Sequence, residues 1–245
     1  MKLNVYDTAA AAGRAAAESA AGILREAIRE KGQAVFVAAT GNSQIDFLAH
    51  LTAAPGIDWR QATMFHLDEY IGIPADHPAS FRRYLRERLL DRVPVGTVHL
   101  VAGDAPDVSA EVTRLNGLIA GAAVDAAFIG IGENGHVAFN DPPADFATEA
   151  PFIVVDLDEA CRRQQVGEGW FPSLDAVPRQ AVSMSVRQIL RSARIVCTVP
   201  DARKARAVKD TVEGEIGPMV PASILRAHAD CRLFLDRAAA ALLSR

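Results

Sequence analysis

The run Ala34-Val35-Phe36-Val37-Ala38-Ala39-Thr40-Gly41-Asn42-Ser43 passes from an unbroken apolar segment to a turn of small polar residues, and a helical pattern opens near Gln44. Short apolar or β-branched runs and longer helically periodic stretches alternate along the rest of the chain in the same way. Strand candidates lie at 34–38, 63–66, 98–101, 126–131, 152–157, 181–186, 195–199 and 233–235. Helix candidates lie at 9–30 and after Ser43, Ser80, Val108, Asp201 and Pro221. The 9–30 segment is rich in Ala and Glu, strong helix formers, and Gly32 supplies a left-handed cap. Ser80 and Asp201 offer N-caps, because a short side-chain oxygen can accept an orphan backbone N–H. This alternation predicts α/β class: one domain, residues 1–245, with a mainly parallel, Rossmann-like open sheet flanked by helices.

Composition narrows the function. Half of the 245 residues are apolar, enough for a large core. The net charge of −4 gives no basic field for a phosphate backbone, so no nucleic-acid partner is expected. No apolar run approaches the roughly 20 residues that span a bilayer, and Met1-Lys2-Leu3-Asn4-Val5 lacks signal-peptide design, so no membrane and a cytoplasmic location are expected. Cys161, Cys197 and Cys231 are odd in number and widely spaced, which suits reduced thiols. The six histidines show no HxH or HxxxH spacing and no Cys beside them, so no metal is expected.

In open α/β sheets ligands bind beyond the carboxyl ends of strands, and four such places carry polar or glycine-rich residues. Thr40, Gly41, Asn42 and Ser43 follow the first run and open a helix; they are either an ordinary turn or an anion site with free N–H groups. After the 63–66 run come Asp68 and Glu69. Alternation along a strand would aim one carboxylate at a pocket and the other at the scaffold, although a solvated acidic turn or an N-cap fits as well. The third place is Phe128-Ile129-Gly130-Ile131-Gly132-Glu133-Asn134-Gly135-His136-Val137-Ala138-Phe139-Asn140-Asp141-Pro142. Its glycines permit close approach of a ligand, and a carboxylate near His136 would fix the imidazole tautomer. Lys204 then falls in the first turn of the helix after the 195–199 strand, beside a possible phosphate or as a plain surface lysine.

Taken in order and spacing, these segments resemble the glucosamine-6-phosphate deaminase/isomerase family, which shares its fold with the 6-phosphogluconolactonases. Phe65-His66-Leu67-Asp68-Glu69-Tyr70-Ile71-Gly72 with His77-Pro78-Ala79-Ser80-Phe81 resembles the family's DEY-G…HP-S-[YF] segment. Gly130 to Pro142 resembles its G-x-G-x-[DN]-G-H-x-A-F-N-E-P motif, and Val212-Glu213-Gly214 with Ser223-Ile224-Leu225-Arg226-Ala227-His228 its C-terminal pattern.

The resemblance implies conversion of glucosamine 6-phosphate, or a related amino-sugar phosphate, to fructose 6-phosphate and ammonia without a cofactor. It implies Asp68 as the base between C2 and C1, and His136 as the ring-opening group placed by Asn134 and Asp141, with Glu69 and Gly135 in support. It also implies a phosphate held by Thr40, Gly41, Asn42, Ser43 and Lys204. The partner expected is a small sugar phosphate, and self-association into a homo-oligomer is open.

Three positions depart from the pattern. Asn134 stands where many members have Asp, and Asp141 where Glu is usual. Gln164-Gln165-Val166-Gly167-Glu168-Gly169-Trp170-Phe171 replaces N-S-R-F-F, so the phosphate-holding Arg is missing near residue 169, with Arg162 or Arg163 as substitutes from nearby. This segment is either a lid with neutral differences or a pocket wall for another sugar. A lactonase-like hydrolase and a non-catalytic sugar-phosphate-binding domain are the alternatives. The DEY wording and Ala138-Phe139-Asn140-Asp141 favour the deaminase.

Overall fold

The computed structural model describes residues 1–244. The strands are β1 Lys2–Tyr6, β2 Ala34–Ala38, β3 Ala62–His66, β4 Asp68–Tyr70, β5 Thr97–His99, β6 Ala126–Ile129, β7 Phe152–Asp156, β8 Gln180–Met184, β9 Arg194–Val199 and β10 Cys231–Asp236. The α-helices are α1 Ala9–Lys31, α2 Ile45–Ala53, α3 Phe81–Leu85, α4 Val108–Ala120, α5 Glu159–Gly167, α6 Val186–Leu190 and α7 Ala205–Glu213.

Seven strands form an all-parallel sheet in the order β1-β10-β9-β6-β2-β3-β5. One apolar cluster on each face fills the space beneath the helices. Phe36, Met64 and Phe128 meet α1 and α2 on one side, while Val37, Phe65 and Ile129 pack on the other. The connections run outward in opposite directions from the β2–β6 boundary, so the loops beyond these two strands part and leave a crevice at their carboxyl ends.

The α/β class and the parallel sheet match the expectation, with one correction. The 152–157 and 181–186 runs do not extend that sheet; β7 and β8 join β4 in a separate antiparallel sheet. The reason is visible in β7, whose alternate residues are solvent-accessible, as suits a sheet with one wet face. Leu67 links the sheets: its N–H donates to Ala38 O of β2 and its carbonyl accepts from Met184 N of β8.

Local chemistry explains the other differences. Helix α1 ends as expected, with Gly32 at φ 73°. Ser80 does not cap α3. Its hydroxyl donates to Glu69 Oε2, and the Glu69 carboxylate takes the capping role by accepting from Phe81 N at 3.2 Å and Arg82 N at 2.8 Å. The helix expected over 81–90 changes to a π-turn at Arg86–Leu90, and the segment after Pro221 is a 3-10 helix, Pro221–Ala227. Among the described residues no helix is long and apolar enough to cross a membrane.

Candidate active site

A cleft of about 520 Å³ opens at the carboxyl ends of the parallel strands. Three of its walls directly continue buried strands of the parallel sheet. The turn after β2 contributes Thr40, Gly41, Asn42 and Ser43, and Gly41 adopts φ 94° there. The turn after β6 contributes Gly130, Ile131 and Gly132, and the segment after β9 contributes Asp201, Arg203 and Lys204. A side chain at Gly130 would meet Ser43 Oγ at 2.9 Å, so glycine is what lets the two turns approach.

Asp68 lines this cleft from the first position of β4 and is 5% exposed. Burial, reinforced by the charge of Glu69, pushes its carboxyl well above the ordinary value. Glu69 lies outside the cleft and is fully buried. It accepts hydrogen bonds from Tyr70 N, Phe81 N, Arg82 N and Ser80 Oγ and lies 3.5 Å from Arg82 Nε. Burial raises Glu69 too, while those hydrogen bonds pull the other way. Two adjacent carboxylates thus do different work, one facing a cavity and one fastening α3 to the sheet.

His136 lines the same cleft. A Cβ at Gly132 would fall 2.2 to 2.4 Å from the imidazole, so the ring lies against a backbone that only glycine leaves open. Asp141 Oδ1 stands 3.1 Å from His136 Nδ1, a close contact whose angle falls short of an aligned hydrogen bond. Asn134 Oδ1 accepts from His136 N, and Asn134 Nδ2 donates to Asp141 Oδ1 at 3.0 Å. Burial would raise Asp141, but the contact and charge of His136, the Asn134 amide and the N–H of Asp158 outweigh it and hold the carboxyl below its ordinary value. Gly135, at φ 84°, forms the turn between Asn134 and His136.

Cys161 corrects one sequence expectation, since a cysteine does join a histidine. His136, Asp141 and Cys161 bring one potential ligand atom each within 4.8 Å of one another. Burial first, then the charges of Asp141 and Asp158, push this thiol well above its ordinary value.

Lys204 is buried on the cleft wall at the end of the 3-10 turn Ala202–Lys204. Burial lowers its pKa, and the nearby Glu168 opposes that shift. Neither arginine offered as a substitute reaches the cleft. Arg162 donates to Leu174 O and Val177 O, and exposed Arg163 pairs with Glu159 on its own helix. The reason is helical phase: in α5 the buried positions are Cys161 and Gln165, so 162 and 163 fall on other faces. The residues of this segment that do line the cleft are Gln164, Gln165 and Glu168.

Residues 7–234 match the model of the glucosamine-6-phosphate isomerase/6-phosphogluconolactonase family. The chain belongs to this family. Among family relatives, the glucosamine-6-phosphate deaminase of an Exiguobacterium species is 37% identical over 218 residues, covering 89% of this chain and 84% of the relative. That of Lactobacillus delbrueckii subsp. bulgaricus is 34% identical across 99% of this chain and all of its own. A solved monomeric glucosamine-6-phosphate deaminase superposes with a TM-score of 0.91 at 32% identity, covering 99% of this chain and 100% of that one. The 6-phosphogluconolactonase of Thermotoga maritima, at 18% identity and a TM-score of 0.79 over 96% of this chain and 99% of its own, shares the family fold.

Proposed function

We propose that this chain converts an amino-sugar phosphate, glucosamine 6-phosphate first among them, to the 2-ketose phosphate with release of ammonia. The observation that carries the reading is the convergence in one cleft of Asp68, a buried carboxyl of raised pKa, and the His136–Asp141 pair. A base poised nearer neutrality than an ordinary carboxylate suits removal of a weakly acidic proton α to a carbonyl.

The steps follow from what each group can hold. His136, kept in place by Asp141 and Asn134, moves the proton between the C1 hydroxyl and the ring oxygen, and the pyranose opens to the aldehyde. Asp68 takes the proton from C2; the electron pair of that C–H bond forms the C1–C2 double bond, the carbonyl π pair moves to O1, and O1 takes a proton from the substrate's own 2-ammonium, giving the enolamine. The same carboxyl returns the proton to C1, leaving an iminium at C2. Water adds to C2, the C–N bond breaks, and ammonia leaves with the ketone formed. Glucosamine 6-phosphate and water become fructose 6-phosphate and ammonia, redox-neutral overall. The Thr40–Ser43 turn with its backbone N–H groups, and Lys204 across the cleft, support the phosphate end.

The test is incubation with glucosamine 6-phosphate, followed by ammonia and ketose assays in parallel, beside 6-phosphogluconolactone followed by acid release. Equimolar ammonia and ketose are expected. Acid from the lactone without ammonia from the amino sugar would overturn the reading.

A further inference from the structure

The segment that lacks the arginine is not neutral, because it places a carboxylate in the cleft. Glu168 lines the cleft, and its Oε1 lies 3.7 Å from Lys204 Nζ; both side chains are 7% exposed. The carboxylate is held where it is. Gln164 Nε2 donates to Oε1 at 2.7 Å, and Trp170 Nε1 donates to Oε2 at 3.2 Å. Those two partners are themselves anchored to cleft walls. Gln164 Oε1 accepts from Glu133 N, and Trp170 packs edge-on against Tyr84, whose hydroxyl donates to Gly41 O in the turn after β2.

The remaining cation of the cleft is answered in the same way. Arg203 makes a two-pronged contact with Asp201 Oδ2, 3.1 Å from Nε and 2.8 Å from Nη2. Each permanent cation that lines the cleft therefore already has a carboxylate partner, and a dianionic phosphate arriving at Lys204 must share or displace Glu168. Two anions competing for one ammonium in a poorly hydrated site lose much of the attraction that either would have alone.

We propose that Glu168 is a specificity-determining residue: it supplies the counter-charge to Lys204 that a substrate phosphate would otherwise supply, so the cleft gains little from phosphate and also accepts hexosamines with an uncharged C6 hydroxyl. This rests on the deaminase reading for the reaction and adds to it the substrate range. Gln164 and Glu168 complete the wall with groups that can accept from or donate to sugar hydroxyls.

The test compares glucosamine 6-phosphate with free glucosamine in the wild type and in Glu168→Gln, which keeps the shape and removes the charge. The expected wild-type preference in kcat/KM for the phosphorylated sugar is below about 100-fold, less than several charge-assisted contacts would give. In Glu168→Gln that preference rises at least about tenfold through a lower KM for the phosphate ester, the effect of freeing one ammonium for one anion. Titration with inorganic phosphate, followed by Trp170 fluorescence or heat, needs no turnover and is expected to show at least about tenfold tighter binding in the variant. Glu168→Ser gives the same comparison should Glu168→Gln fail to fold. An unchanged or weaker phosphate affinity in a folded variant overturns the proposal. Absence of ammonia from both sugars would instead overturn the deaminase reading, with the phosphate titration still deciding the role of Glu168.

Discussion

Oδ1 of Asp141 lies 3.1 Å from Nδ1 of His136 and 3.0 Å from the Asn134 amide, so one carboxylate oxygen orients both neighbours of the turn after β6. Asp141→Asn keeps the shape and removes the charge that steadies the imidazole as it carries a proton. Turnover is expected to fall by about 10² or more, within the range for general acid–base groups, with a smaller change in KM. The same change has a stability signature. Because the folded pKa of Asp141 lies below its ordinary 3.8, its contribution is present above that value and is lost as pH falls through the lower folded value. The melting-temperature gap between wild type and Asp141→Asn should therefore be full near neutrality and should close in strong acid. A gap that does not change with pH would contradict the assignment.

Glu69 fastens rather than reacts. Glu69→Ala would leave the N–H groups of Tyr70, Phe81 and Arg82 and the Ser80 hydroxyl without their buried acceptor, and would remove the carboxylate 3.5 Å from Arg82 Nε. Breaking a buried ionic cluster of this kind costs about 3 to 5 kcal/mol, which urea unfolding would register. A loss below about 1 kcal/mol would show that the cap is dispensable.

Gly132 is tied to the imidazole by space alone. Its Cβ-to-ring distances of 2.2 to 2.4 Å mean that Gly132→Ala must displace His136. Activity is expected to drop at least about tenfold, since misplacement on the ångström scale has that effect or greater. An active Gly132→Ala enzyme would show that the ring position is not critical.

Much of this was legible in the sequence, and the limits have physical causes. Buried runs such as 34–38 and 126–129 announce themselves because strands covered on both faces are continuously apolar. Strand β1 was missed because Lys2 and Asn4 interrupt Leu3 and Val5 at an exposed sheet edge. Strand β4 was missed because Asp68-Glu69-Tyr70 is short and acidic, and it exists through pairing with β8, 111 or more residues away by the register of Tyr70 with Ala181. Asp68 and His136 stood out by their motifs, and both line the cleft. Glu168 was visible only as part of an altered segment, since nothing local says that this carboxylate meets Lys204 across the cleft. The phase of α5, which turns Arg162 and Arg163 away and brings Cys161 to His136, depends on packing that no short window encodes.

The pH profile follows from Asp68. A base acts when deprotonated, and burial raises its pKa, so the acidic limb of kcat should fall well above the ordinary value of 3.8. Asp68→Asn should lower kcat by about 10² to 10⁴ with KM largely kept. An acidic limb at the ordinary carboxylate value would remove Asp68 from the role.

The most direct measurement uses glucosamine 6-phosphate carrying deuterium at C2, with mass or NMR analysis of C1 in the ketose product. A single carboxyl, 5% exposed and shielded from rapid exchange, should slow turnover by a primary isotope effect and deliver a measurable share of the deuterium to C1. Ketose formed with only solvent hydrogen at C1 and no isotope effect would contradict proton transfer by Asp68.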